Sequence, residues 1–168
     1  MNRAFIRIFR HWIAFASVSA LLVVLGAAAT SLVAASGHHS VAQLAYWAYR
    51  PLCPQRAAHS FFIRGHKMAF EQRETAMFLA AAVSGPLYVL LQRGGWRMPG
   101  RLAVASMLPM LIDVATQVVG LRTSDGFWRS LTGGLAVICV LLWAYPQIDT
   151  DLRRYAVPPP RTTHGPVD

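Results

Sequence analysis

The feature that most limits how this chain can fold is a run of 24 residues without a charge, Trp12 to Ala35. A helix of about 20 apolar residues spans the hydrocarbon core of a bilayer. Three further stretches of the same character follow, at about 75–91, 102–120 and 130–146. In lipid every backbone polar group must be satisfied within the chain, so runs of this kind become helices. The expected fold is therefore an all-α integral membrane protein, a four-helix transmembrane bundle with an irregular extracytoplasmic segment (36–74) between helices 1 and 2. Residues 1–148 form a single membrane domain in this reading, and 149–168 a polar, proline-rich cytoplasmic tail.

Composition agrees. With 55% hydrophobic and 14% charged residues the chain is too apolar for an ordinary soluble domain. The net charge of +9 does not point to nucleic acid, because the basic residues flank apolar runs. That pattern belongs to topology signals and contacts with anionic lipid. The first run ends in Val33-Ala34-Ala35, small residues of the kind that precede a signal cleavage site. A signal core spans only about 7–15 apolar residues, so a retained helix is expected.

Orientation follows from Lys and Arg in short flanks. Arg3, Arg7 and Arg10 precede span one, Arg93, Arg97 and Arg101 follow span two, and Arg153 and Arg154 follow span four. These belong on one side, which predicts a multi-pass protein of the cell inner membrane with both termini cytoplasmic. The lipid bilayer is the expected partner, with room for a membrane-protein partner or self-association.

Polar residues gather in two places. The stretch PMLIDVATQVVGLRTSDGFWR places Asp113, Thr116 and Gln117 at i, i+3 and i+4 in an apolar helix, on one stripe. It continues into Arg122, Ser124, Asp125 and Arg129. An ionisable residue inside a membrane is costly and faces protein or water. Two readings stay open: a relay or buried site at Asp113, or interhelical bonding in which Asp113 pairs with Arg122 or Arg129. The second place is the outer segment. Cys53 lies between Pro51 and Pro54, and His59, His66, Glu71 and Glu74 follow. Thiol, imidazole and carboxylate together could hold a divalent metal ion. Alternatively the carboxylates pair with Arg64, Lys67 or Arg73.

No nucleotide loop, His-Glu-x-x-His or Ser–His–Asp order appears, and no span carries a central histidine for a haem. An enzyme is neither indicated nor excluded. Asp113, Glu71 and Glu74 could serve as acid–base or metal-binding carboxylates at the outer leaflet, with Arg122 and Arg129 binding an anionic group. A proton or ion pathway through Asp113 is a third reading. The leading one is an accessory or structural membrane component with an outward-facing polar site.

Two stretches carry a resemblance. AYWAYRPLCPQRAAHSFFIRGHKMAFEQRETAMF and PMLIDVATQVVGLRTSDGFWRSLTGGL together resemble the domain-of-unknown-function 2085 family of small bacterial predicted membrane proteins. The first is similar to that family's Cys-His-Gln and later Cys-x-x-Cys, the second to its Pro-x-x-x-Asp-x-x-Thr-Gln followed by Arg-x-Ser. Here Pro54 replaces the histidine, and Glu71 and Glu74 stand in place of the two cysteines. The resemblance implies a membrane protein in which these two segments belong together; it implies no activity.

Overall fold

The computed structural model describes residues 11–156. Helix α1, Trp12–Ala35, is the first apolar run from end to end. A short amphipathic helix α2, His39–Tyr49, turns back along it. The Tyr49 hydroxyl donates to the Val23 carbonyl at 3.0 Å. After a 3-10 turn at Ala57–His59 come two antiparallel strands, β1 (Ser60–Ile63) and β2 (His66–Glu71). Helix α3 spans Gln72–Arg93. The third crossing is made of two pieces, α4 (Gly100–Ala105) and α5 (Leu108–Val118), and α6 spans Gly126–Ala156.

Among the described residues, four helical stretches are long and apolar enough to cross a membrane: Trp12–Ala35, Gln72–Arg93, Gly100–Val118 and Gly126–Leu152. They alternate in direction. Trp12 meets Tyr145, Ile13 approaches Gly85, and Gly100 lies against Trp143, so the start of α1, the end of α3, the start of α4 and the later part of α6 share one end. The opposite end holds α2, the hairpin, the start of α3 and the 119–125 loop. Arg3, Arg7 and Arg10 of the orientation argument lie outside the described residues, as do 157–168 of the tail.

The segment between spans one and two is largely regular. Ile63 pairs with His66 across a two-residue loop, Arg64-Gly65, whose φ angles are 50° and 80°. A two-residue hairpin loop with both φ positive is the type I′ turn, which matches the twist of paired strands. Glycine takes that conformation without steric cost, whereas Arg64 must be held in it. Met68, Ala69 and Phe70 of β2 are all buried, and Phe70 stacks on Phe78 with centroids 5.0 Å apart. Tyr49 meets Phe70 edge-on at 5.1 Å. Ser31 and Tyr46 both donate hydroxyls to the Lys67 carbonyl, fastening β2 to α1 and α2.

Span four also departs from expectation. It does not stop at Pro146; α6 continues to Ala156. A proline in a helix interior removes one N–H and crowds the preceding turn but does not force termination. Here Gln147 Nε2 donates to the Trp143 carbonyl at 3.0 Å and Thr150 Oγ1 to the Pro146 carbonyl at 2.7 Å. In span three the interruption falls at Ser106–Met107, just ahead of Pro109 at the start of α5.

Small residues set the helix spacing, as expected where lipid tails compete with apolar packing. A Cβ at Gly133 would lie 2.7 Å from Arg73 Cγ and 3.2 Å from Met77 Cγ. One at Gly85 would collide with the Ser17 hydroxyl and lie 2.9 Å from Ile13 Cγ2. Gly133→Val is therefore expected to part α3 from α6 and cost about 1–3 kcal/mol by overpacking. Unfolding in mixed micelles checks this; a variant as stable as the parent would show that the seam is slack.

Candidate functional site

The first turn of α3 presents two different faces. Gln72 and Arg73 point toward α5 and α6, where Gly126 and Gly133 leave space for them. Glu71 and Glu74 point toward the Cys53 loop. Two polar constellations result, both at the end of the bundle that holds the hairpin.

The first centres on Asp113, only 5% exposed and the one buried residue of α5. Arg73 donates to its Oδ2, Arg122 Nη2 donates to Oδ1 at 3.1 Å, and Gln117 Nε2 donates to Oδ2 at 3.0 Å. The same Gln117 nitrogen lies 2.8 Å from the Asp113 carbonyl, so one turn of helix sets the amide in place. Arg129 completes the group. It is 8% exposed, with Nε 3.4 Å from Gln117 Oε1 and Nη1 3.3 Å from Gln72 Oε1. Those partners are neutral amides. Among the described residues no carboxylate forms an ion pair with Arg129. Two guanidinium groups thus engage one carboxylate, and a third is joined to it only through the Gln117 amide. Burying a charge without a counter-charge costs several kcal/mol, so Arg129 is the anomaly of the site.

Three expected members stand apart. Thr116 bonds back to the Ile112 and Asp113 carbonyls of its own helix, at 2.9 and 3.1 Å. Ser124 is buried but makes only a 3.4 Å contact with the Asp125 carbonyl. Asp125 Oδ1 accepts the Trp128 N–H at 2.9 Å, satisfying a free donor at the start of α6. The sequence suggested that Asp113 pairs with Arg122 or Arg129; the first pairing is present, and Arg129 turns to amides instead. Arg73 and Gln72 were missed. Their signal lay in position: both open span two at the level where span three ends.

The second constellation surrounds Cys53, 2% exposed. Its Sγ accepts the Glu71 N–H at 3.3 Å and a backbone bond from Gln55, which lies at φ 60°. Burial pushes the thiol pKa up, outweighing those two bonds, and the carboxylates of Glu74 and Glu71 push the same way. The thiolate is disfavoured, and with it nucleophilic reactivity. Glu71 Oε1 accepts the Arg56 N–H at 2.9 Å and lies 3.4 Å from Arg56 Nε, while Oε2 lies 3.4 Å from His59 Nδ1. Arg56, rather than Arg64, Lys67 or Arg73, is the cation that meets Glu71. One Glu74 oxygen is buried with no bonding partner.

The proposed metal set of Cys53, His59, His66, Glu71 and Glu74 is not gathered as such. The Glu71 carboxylate meets His59, but Cys53 meets Glu71 only at its backbone N–H, and His66 begins β2 opposite Ile63. Among the described residues no group of three or more His, Cys, Asp or Glu side chains is placed to hold a metal ion. The physical reason is visible at Glu71, whose two oxygens already face Arg56 and His59.

The comparisons with known proteins bear on both constellations. Residues 53–143 match the family described as "Predicted membrane protein (DUF2085)", a stretch that begins at Cys53 and includes Asp113 and all three clustered arginines. The chain belongs to this family. An uncharacterized protein of Methanocaldococcus jannaschii is 31% identical over 103 residues, which is 60% of this chain and 66% of that protein. No solved structure gives a significant match. As a DUF2085 protein, the chain has its two polar constellations joined within one matched segment. The family's description goes no further than the membrane.

Proposed function

We propose that this DUF2085 protein is a non-enzymatic accessory or structural component of the cell inner membrane whose Asp113–arginine cluster, the clasp, lies at the outward-facing end and recognises an anionic group. The observation that carries the reading is Arg129, buried among neutral amides beside a carboxylate already engaged by Arg73 and Arg122. A site with surplus guanidinium is complementary to carboxylate or phosphate, which arginine binds through paired N–H donors. The same saturation speaks against the alternatives. A proton relay needs a carboxylate free to exchange, whereas Asp113 accepts from three side chains.

Anion binding is tested by titrating the purified protein with phosphate- and carboxylate-bearing compounds and following thermal stability. The parent is expected to be stabilised and Arg129→Gln to respond at least tenfold more weakly. Equal responses would remove the anion site.

Sidedness is tested separately. Cys53 is buried and its thiol disfavoured, so background labelling there is expected to be low. An impermeant maleimide should label Ser40→Cys in intact cells and Arg97→Cys only after lysis. Labelling of both from one side would refute the alternating spans, and the reverse pattern would invert the orientation.

A further inference from the structure

The clasp lies near the ends of the spans that carry it, behind a helix that faces lipid. Arg129 lies three residues into the span that starts at Gly126, about 4.5 Å along the helix axis. Arg73 is the second residue of its own span. Around this level the chain exposes apolar and aromatic side chains: Val118 at 80%, Leu121 at 78%, Phe127 at 67% and Trp128 at 47%. Tryptophan and its apolar neighbours in such a ring mark the membrane–water interface. Span three, which carries Asp113, is the least buried of the four, and Asp113 is the sole buried residue of α5. The wall of the clasp on that side is therefore one thin helix with lipid beyond it. Arg122, half exposed at 51% of its side chain, extends from the same cluster.

We infer that the anionic group is the phosphate of a membrane lipid, taken from the leaflet at the clasp end, with Arg129 and Arg122 as its donors. This rests on the anion-site reading and narrows it. Three guanidinium groups against one carboxylate supply the complementary charge, and the exposed ring of Val118, Leu121, Phe127 and Trp128 provides the apolar contact that acyl chains need. A free anion in water would gain nothing from that ring. Arg73 stays with Asp113, holding α5 to α3 while the ligand occupies the Arg129 side.

Native mass spectrometry of the full chain released from nanodiscs provides the test, with nanodiscs of phosphatidylglycerol, of a neutral glycolipid with the same acyl chains, and of the glycolipid with added inorganic phosphate. The expected result is one retained phosphatidylglycerol per protein, at least tenfold over glycolipid, unaffected by millimolar phosphate and lost in Arg129→Gln. Arg129→Lys keeps the charge but loses the planar fork and should fall between. If Arg129→Gln does not fold, the phosphatidylglycerol preference of the parent decides alone. Should inorganic phosphate bind through Arg129 while the lipid does not, the lipid inference is overturned and the anion site stands. Should neither bind, both fall.

Discussion

Asp113→Ala is expected to destabilise the folded bundle by about 3–5 kcal/mol, the cost typical of removing one partner from a buried ion pair. Two guanidinium groups lose their acceptor at once, and Arg73, 18% exposed, cannot reach water as Arg122 can. The side chain of Arg122 is 51% exposed, so Arg122→Ala should cost no more than about 1 kcal/mol, as for other solvent-screened pairs. The contrast separates a buried fastening from a surface ion pair. A further comparison isolates the pair itself. Arg73→Met with Asp113→Leu replaces both charges by apolar groups and should recover much of the loss, because a well-packed apolar pair often equals a buried ionic one. Reversible unfolding in mixed micelles measures all three variants. If Asp113→Ala costs less than about 1 kcal/mol, the ion pair does not hold span three to the bundle.

The second large effect is expected at Phe70. It is fully buried, stacked on Phe78, crossed by Tyr49, and packed in the same cluster as Ala27, Cys53 and Ala69. Phe70→Ala removes the ring that joins the hairpin, α2, α1 and α3, and the cost for such a truncation is about 3–5 kcal/mol. The loss should be local. The spans keep their own contacts with one another, so the helical signal should survive while the 60–71 hairpin loosens. Limited proteolysis reads this out: cleavage after the exposed Arg64 should rise sharply in the variant. Unchanged cleavage would mean that the hydroxyl bonds of Ser31 and Tyr46 to the Lys67 carbonyl hold the hairpin unaided.

The spans were legible because a bilayer imposes a long, uncharged run that few other structures require. The first was read to the residue, and the others to within a few residues at most ends. What failed were local signals of a different kind. The hairpin offers only two short apolar runs, and its turn is Arg-Gly rather than a favoured Asn-Gly pair, so Gly65 suggested a turn without announcing strands. Pro146 suggested a stop because a sequence alone does not reveal that Gln147 and Thr150 bond back to nearby carbonyls. The clasp was half visible. Asp113 stood out as a carboxylate in an apolar run, and Gln117 followed at helical spacing. Arg73 did not, since its partner lies 40 residues away and the two are brought together only because α3 and α5 both pack against α6. The second constellation shows the opposite limit. Residue types suited to a metal lie close in sequence, but their orientation, with Glu71 facing Arg56 and His59, is not a property of spacing.

The pairing of Arg73 with Asp113 also concerns how the chain enters its membrane. An aspartate at the centre of a helix carries an apparent insertion penalty of about 2.5–3.5 kcal/mol; Asp113, near the end of span three, bears part of it, and that span has the lowest hydropathy of the four to offset it. Synthesis proceeds from the N-terminus, so Arg73 is in place before Asp113 emerges. Asp113 can then meet the charge of Arg73 before α6 arrives. Arg122 and Arg129 come afterwards and add to a carboxylate already housed. The order of residues along the chain thus lets the least apolar helix follow its own counter-ion into the bilayer.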